Sequence, residues 1–189
     1  AVILPTETVY GIFAKALDQE AVDYIYELKR RPRDKALNLN VADEKTIRIY
    51  SKNQPSYLTK LIHSFLPGPL TIILQANEKV PNWIHSGLDT VGFRIPAHPK
   101  TLELIRKYGP LVGPSANLSG HASGTKYRAI VSEFDQVVPG IEDDDFLTGQ
   151  DSTILDISSS KSRILRQGSI TKADLLAQVP ELSFEEDEL

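Results

Sequence analysis

The spacing of apolar residues along the chain predicts short strands interleaved with helices. Apolar runs and one alternating segment favour strands at seven places: residues 2–4, 37–41, 70–74, 90–95, 111–113, 153–157 and 164–166. Apolar residues at helical spacing predict three helices, over residues 21–28, 58–65 and 102–105. Several connections are too short for a helical crossover, so we expect one twisted mixed sheet flanked by helices. The predicted fold class is α/β.

Length and composition favour one cytoplasmic domain. With 189 residues, 41% of them hydrophobic, the chain can bury one sizeable core but is short for two domains. We expect a single domain over residues 1–189, with a common core over about 1–170 and an acidic tail over about 181–189. No run approaches the roughly 20 apolar residues that cross a bilayer, and no secretion signal is recognised. The lack of cysteine excludes cysteine chemistry.

The charges are distributed unevenly. The formal net charge is -4, but nine of the 25 acidic residues lie at positions 142–145, 181 and 185–188. The rest of the chain has 16 acidic residues and 21 lysines and arginines, so it is basic. Acidic runs of this kind are usually solvated loops or tails, whereas a basic body is typical of a protein that binds anions.

Three polar segments are candidates for chemistry. Residues 5–11 read Pro-Thr-Glu-Thr-Val-Tyr-Gly and follow a predicted buried strand, where open α/β sheets commonly bind ligands. The alternative is a turn closed by local side-chain hydrogen bonds. Residues 113–120 read Gly-Pro-Ser-Ala-Asn-Leu-Ser-Gly, so their backbone can approach a ligand closely. That segment could equally be an ordinary loop.

The third segment is the run Lys-Arg-Arg-Pro-Arg-Asp-Lys at residues 29–35, which holds five cations in seven positions. Cations at the end of a helix offset its dipole, so an exposed helix end is the structural alternative. Arginine offers a planar fork of donors and lysine a compact charge, and a polyanion such as ATP would suit both.

Two arginines lie in strands that are otherwise apolar. An unpaired charge is costly to bury, so Arg94 and Arg166 each need either a ligand or a structural salt bridge. The histidines, at positions 63, 85, 98 and 121, do not pair with carboxylates at metal-ligand spacing, and we predict no metal site. No serine-histidine-aspartate order or glycine-rich Walker loop is recognised.

Together these segments resemble the YrdC/Sua5 family from Pro5 to about Gly168. The family's opening motif matches residues 5–11, its Lys-x-Arg element matches Lys29 and Arg31, and its Ser-x-Asn element matches Ser115 and Asn117. Residues 67–71 and 94–99 also look like family signatures, the first more architectural than catalytic. Five matches in register make the resemblance specific.

The resemblance implies a large electropositive cavity and a threonylcarbamoyl-AMP synthase reaction. That reaction joins L-threonine, bicarbonate or CO2, and ATP, releases pyrophosphate, and serves the threonylcarbamoyladenosine modification of tRNA. The implied catalytic residues are Lys29, Arg31, Ser115 and Asn117. The implied threonine-binding residues are Thr8, Asn40, Arg94, Ser115 and Ser152. The implied ATP-binding residues are Arg31, Lys35, Thr90, Asn117, Thr125 and Arg166.

The resemblance also implies Mg2+ carried by the ATP phosphates and a downstream threonylcarbamoyl transferase as partner. Asn40 departs from the family pattern, where many relatives have histidine, and Ile12 and Phe13 replace the usual Leu-Gly. Because the chain ends soon after the common domain, we expect the short YrdC form. Three alternatives stay open: a double-stranded RNA or tRNA binding module, a related carbamoyl-transfer enzyme with another acceptor, and a regulatory ATP-binding protein.

Overall fold

The structure is a computed structural model that describes residues 1–185. Nine strands are present in this part of the chain: β1 Val2–Leu4, β2 Gly11–Lys15, β3 Leu39–Asn40, β4 Ser51–Lys52, β5 Leu70–Ala76, β6 Thr90–Arg94, β7 Leu111–Val112, β8 Thr153–Asp156 and β9 Arg163–Arg166. The α-helices are α1 Gln19–Lys29, α2 Glu44–Tyr50, α3 Leu58–Phe65, α4 Asn82–His85, α5 Pro99–Tyr108, α6 Tyr127–Val131 and α7 Lys172–Gln178. A 3₁₀ turn spans Asp144–Phe146.

The strands form one mixed sheet in the order β1-β2-β7-β3-β6-β5-β8-β9, with β4 paired to β5 at one end. The β3–β6 and β5–β8 pairs are parallel, and the other strand pairs are antiparallel. The order separates β2 from β3, β6 from β7 and β7 from β8, so segments from distant parts of the chain meet on the sheet. The predicted mixed α/β sheet is confirmed.

Apolar side chains from both helices and strands form the core. Ile25 of α1, Leu61 of α3 and Phe93 of β6 are fully buried in its main cluster. Asp18 caps the start of helix α1, and its carboxylate accepts a hydrogen bond from the Ala21 amide. Arg30 caps the other end, where its left-handed conformation turns the chain away from the helix.

Several elements differ from the sequence prediction. The alternating segment at residues 37–41 forms a strand only over Leu39–Asn40. The apolar pattern does not predict β2, β4, α2, α4, α6 or α7. The predicted acidic tail extends beyond residue 185, so its last four residues lie outside the described part. Within residues 1–185, no helix is long and apolar enough to span a membrane.

Candidate functional site

A cavity of about 330 Å3 opens on one side of the sheet. Its wall combines the turn after β1, the segment after α1, the ends of β5 and β6, the segment after β7, and the β8–β9 region. Most of the polar wall residues carry hydroxyl, amide or guanidinium groups: Thr6, Tyr10, Arg31, Asn38, Asn40, Thr71, Arg94, Ser115, Ser123, Ser152 and Arg166. Asp151 is the one carboxylate among these wall residues. Such a wall suits an anionic, hydrogen-bonding ligand.

Residues 5–11 form a tight turn that also lines the cavity. The Thr6 hydroxyl donates to the carbonyl of Val9 over 2.7 Å, and it lies 2.9 Å from the Thr8 hydroxyl. Thr6 and Tyr10 both lie on the cavity wall. The locally bonded turn and the ligand-facing wall were alternatives in the sequence, and the structure contains both. The internal hydrogen bonds fix the side chains that face the cavity.

Arg94, at the end of β6, forms an ion pair with a carboxylate. Its Nη2 atom donates to Oε1 of Glu7, in a short ion pair, and to the Thr8 hydroxyl over 2.9 Å. The second Glu7 oxygen accepts a hydrogen bond from the Ala97 amide over 2.7 Å. Only 12% of the Arg94 side chain is exposed, and its Nε atom is buried without a partner in the described residues. Arg94 therefore lines the cavity, forms a structural salt bridge and has one buried donor without a partner in residues 1–185.

Arg166, at the end of β9, is held by Ser152. Its Nε atom donates to the Ser152 carbonyl over 2.9 Å, and its Nη2 atom donates to the Ser152 hydroxyl over 3.0 Å. That hydroxyl also lies 2.9 Å from the hydroxyl of Thr71 on β5. Burial lowers the pKa of Arg166, while Asp151 opposes this shift and Arg94 adds to it. The guanidinium stays charged, since arginine titrates far above neutral pH.

Lys29 is buried below the cavity wall and does not line it. Its ammonium donates to the carbonyl oxygens of Ser115 over 2.5 Å and Asn117 over 2.7 Å. Burial, reinforced by the nearby Arg31 charge, lowers the pKa of Lys29 to about 8. The Asn117 side chain donates to the carbonyls of Leu118 and His121, and its Oδ1 atom is buried without a partner among the described residues. Lys29 thus supports the backbone of the Ser-x-Asn element.

Arg31 leaves the end of α1 and reaches the cavity. Its Nη2 atom donates to the Ala36 carbonyl over 2.6 Å, and its Nε atom donates more weakly to the Lys35 carbonyl over 3.3 Å. These contacts brace the side chain against the segment that follows it. Asn40 lies across the wall, where its amide group makes a long contact of 3.4 Å with the Leu111 carbonyl.

A hydrogen-bond network behind the wall joins three segments. The Tyr10 hydroxyl donates to Asp144 over 2.6 Å and accepts from the Asp143 amide over 2.8 Å. The Asp143 carboxylate in turn lies 2.7 Å from Nε2 of His98, the residue that caps α5. Burial and the Asp144 contact raise the pKa of Tyr10, and the Tyr10 and Tyr127 hydrogen bonds lower the pKa of Asp144. Part of the acidic run at residues 142–145 is therefore bonded to the cavity wall.

The structure brings most of the sequence-predicted residues to one place. Arg31, Asn40, Arg94, Ser115, Ser152 and Arg166 line the cavity. Lys29, Thr8 and Asn117 lie directly behind the wall through the hydrogen bonds described above. Lys35, Thr90 and Thr125 are not among the wall residues.

The sequence assigns no role to several residues that belong to the wall or brace it. Glu7 and Tyr10 lie within the recognised motif, which was the signal available for them. Thr71 was expected to be architectural, and it both lines the cavity and contacts Ser152. Asp151 precedes a predicted residue but has no signal of its own. Across residues 1–185, no group of three or more acidic, histidine or cysteine side chains could hold a metal ion.

Comparison with known proteins identifies the family. A sequence model of the Sua5/YciO/YrdC family, described as "Telomere recombination", matches residues 1–168. The chain is 37% identical over 183 residues to threonylcarbamoyl-AMP synthase of Pyrococcus abyssi, covering 96% of this chain and 54% of the relative. It is 39% identical over 181 residues to threonylcarbamoyl-AMP synthase of Bacillus subtilis, covering 94% of this chain and 52% of the relative.

A solved structure gives the same result. The fold matches P. abyssi Sua5 complexed with L-threonine at a TM-score of 0.90 and 36% identity, over 97% of this chain and 55% of that one. The chain thus spans about half the length of these P. abyssi and B. subtilis proteins. The fold, the family match and the order of the motifs agree, and the chain belongs to the Sua5/YciO/YrdC family.

Proposed function

We propose that this chain is a threonylcarbamoyl-AMP synthase. It would join L-threonine, bicarbonate or CO2, and ATP into threonylcarbamoyl-AMP and pyrophosphate, for the threonylcarbamoyladenosine modification of tRNA. The observation that carries the proposal is the meeting of Arg31, Arg94 and Arg166 with serine and threonine hydroxyls in one cavity. The named activity of the P. abyssi and B. subtilis relatives supports it.

The substrates divide between two parts of the cavity. We assign L-threonine to Asn40, Arg94, Ser115 and Ser152 on the cavity wall, with Thr8 behind it. We assign ATP to the side of Arg31, Asn117 and Arg166, with Lys35, Thr90 and Thr125 contributing outside the cavity wall. The predicted electropositive character stays a prediction, favoured by three arginines against one aspartate among the wall residues.

The chemistry is an in-line displacement between anions. The neutral amine of threonine captures CO2 as a carbamate, and a carbamate oxygen attacks the α-phosphorus of ATP as pyrophosphate departs. Arg31, Arg94 and Arg166 would offset these negative charges in a partly enclosed site, where electrostatic effects exceed those in water. Fixed orientation of two reactants can equal an effective molarity of about 10^5 to 10^8 M.

Carbamate formation from the neutral amine and CO2 releases one proton, which would pass to water, so no side chain has to act as general base if threonine enters with its amine deprotonated. Lys29 contributes indirectly, because its ammonium holds the carbonyls of Ser115 and Asn117 in place. The enclosing wall would shield the labile carbamate from water.

Mg2+ fits this proposal as an ion that arrives with the phosphates. Asp151 is the only wall carboxylate in the described cavity, which is too few ligands for a metal site made by protein alone. When bound, the ion would neutralise phosphate charge. We further propose a cytoplasmic location and a downstream threonylcarbamoyl transferase as partner, because the adenylate product is labile and must reach tRNA.

Pyrophosphate release tests the proposal. Every reaction contains purified protein, ATP and bicarbonate. Parallel reactions add L-threonine, L-serine or no amino acid. Release is expected to depend on L-threonine and to be lost in Arg31→Ala. Arg106→Ala removes an exposed arginine of α5 and is the matched control. Absence of pyrophosphate release under every condition would contradict the proposed synthase activity and would favour the RNA-binding module instead.

A further inference from the structure

Glu7 distinguishes one cavity arginine from the other two. Among residues 1–185, Arg94 forms an ion pair with Glu7, whereas neither Arg31 nor Arg166 has a carboxylate within ion-pair distance. Arg31 donates to backbone carbonyls, and Arg166 donates to the carbonyl and hydroxyl of Ser152. We infer that Glu7 sorts the anions in this cavity by reserving Arg94 for a singly charged carboxylate, an inference that rests on the proposed function.

The Glu7 carboxylate is fixed from two directions. One oxygen accepts from Arg94, and the other accepts from the Ala97 amide, which belongs to the segment that leaves β6. The Glu7 backbone is fixed too, since its carbonyl accepts a hydrogen bond from the Thr148 amide over 3.0 Å. Only 15% of the Glu7 side chain is exposed. The negative charge therefore stays beside Arg94 when a ligand enters.

The same contacts leave Arg94 with a limited set of free donors. Both hydrogens of Nη2 are used, one by Glu7 and one by the Thr8 hydroxyl. The Nε hydrogen and the two Nη1 hydrogens remain, and the buried Nε atom has no partner in the described chain. Because the Nε atom is buried, the Nη1 hydrogens are the Arg94 donors left for a carboxylate oxygen of a ligand. Arg94 therefore remains a hydrogen-bond donor in a fixed position, and the Glu7 carboxylate largely balances its positive charge.

The charges set the specificity. A singly charged amino acid carboxylate gains hydrogen bonds from Arg94 and meets little repulsion. A phosphate chain with several negative charges would be repelled by Glu7, because charges a few Å apart interact more strongly in a partly buried site than in water. Arg31 and Arg166 have no carboxylate of the described chain within ion-pair distance, although the nearby Asp151 charge acts to raise the pKa of Arg166, and they remain the cations available to the phosphates. Glu7 thereby prevents ATP or released pyrophosphate from occupying the amino acid subsite.

Inorganic pyrophosphate is the probe that tests this role. Its binding is measured by calorimetry on wild type, Glu7→Gln, Glu7→Asp and the exposed control Glu103→Gln, with circular dichroism to check folding. Glu7→Gln keeps the shape but removes the charge, so pyrophosphate is expected to bind about tenfold tighter and to compete with L-threonine. Glu7→Asp and Glu103→Gln are expected to match wild type. Unchanged pyrophosphate affinity in folded Glu7→Gln overturns the inference.

A second variant keeps the test valid if Glu7→Gln does not fold. The double variant Glu7→Gln/Arg94→Gln removes both charges of the pair, so pyrophosphate affinity should stay within about twofold of wild type, because pyrophosphate is not expected to use Arg94 when Glu7 is present. A loss of pyrophosphate affinity in the double variant overturns the inference. None of these measurements needs turnover, so failure of the proposed reaction is seen separately, as absence of threonine-dependent pyrophosphate release.

Discussion

The ammonium of Lys29 lies 2.5 Å from the carbonyl oxygen of Ser115, so a cation of the basic run holds backbone of the Ser-x-Asn element. The Lys29 ammonium also donates to the Asn117 carbonyl over 2.7 Å, so it binds both ends of the same element. The basic run and the small-residue segment are therefore one physical unit. The predicted catalytic role of Lys29 is compatible with this contact, and its most direct effect is to position Ser115 and Asn117.

Replacing Lys29 with methionine should loosen that unit. The substitution keeps much of the buried volume but leaves two carbonyls without their donor, and each orphaned buried group costs about 1–3 kcal/mol. We expect the free energy of unfolding in urea to fall on the order of 2 kcal/mol at neutral pH, together with a loss of threonine-dependent activity. Lys52→Met, at the exposed position of β4, should change neither quantity. Equal stability of Lys29→Met and wild type would contradict the positioning role.

The lowered pKa of Lys29 predicts a specific pH dependence of stability. Folding lowers this pKa from 10.5 to about 8, so the unfolded chain binds the proton more tightly than the folded chain between those values. The contribution of Lys29 to stability should therefore increase as pH rises through this window, and it is lowest below about pH 8. Urea unfolding of wild type and Lys29→Met between pH 7 and 10.5 measures the difference. If the stability difference between wild type and Lys29→Met did not change with pH, the lowered pKa of Lys29 would be refuted.

Ser152 should affect ligand binding through Arg166. Ser152→Ala removes an acceptor from the guanidinium but leaves the backbone carbonyl contact, so the lost hydrogen bond is worth about 1 kcal/mol. We expect the KM for ATP to rise about five- to tenfold with a smaller change in kcat. Thr71→Val should act through the same hydroxyl, so the double variant should resemble Ser152→Ala alone. Fully additive effects would show that Thr71 acts independently.

The Tyr10 hydroxyl should stabilise the segment at residues 142–149. Tyr10→Phe removes both the hydrogen bond to Asp144 and the acceptor for the Asp143 amide, at an expected cost of about 1–3 kcal/mol. Limited proteolysis should then cleave this segment faster. Tyr24→Phe is the matched control, because the Tyr24 hydroxyl bonds only the exposed Gln136. Identical cleavage patterns for Tyr10→Phe and wild type would argue against this role.

Gly168 should tolerate no side chain. A Cβ atom at this position would lie 2.5 Å from both the Asp151 carbonyl oxygen and the Thr153 nitrogen, which are backbone atoms beside the cavity. We expect Gly168→Ala to destabilise the fold by about 1–3 kcal/mol and to displace Ser152. Gly124→Ala would instead meet side-chain atoms of Ile130, which can move, and should cost less. Thermal unfolding of the two variants gives the comparison.

The sequence predicts the long apolar elements better than the short ones. Strand β5 and helix α3 have several apolar residues at one period, and both are found where the pattern places them. Strand β2 follows the polar motif directly, and its apolar residues carry no alternation because both faces are buried. Helix α7 has only seven residues, too few to show a helical period, although Thr171 and Asp174 form a capping box that could have indicated its start.

The site was predictable as a set of motifs but not as a network. The recognised motifs supply most of the wall, including Arg31, Arg94 and Ser115. Their partners are distant in the chain or are backbone atoms, as in the pairing of Arg94 with Glu7 and of Lys29 with carbonyls. A carbonyl oxygen has no signature in a sequence, and an ion pair between distant segments depends on the strand order.

Thr6 and Arg166 lie near opposite ends of the described chain, and both line the cavity. During synthesis on the ribosome, a chain that has not yet emerged as far as β9 has an incomplete wall. Its anion-binding ability should therefore appear late and abruptly, after most of the sheet has already paired. A ligand that binds this cavity would stabilise only the finished domain and would give no support to its earlier folding intermediates.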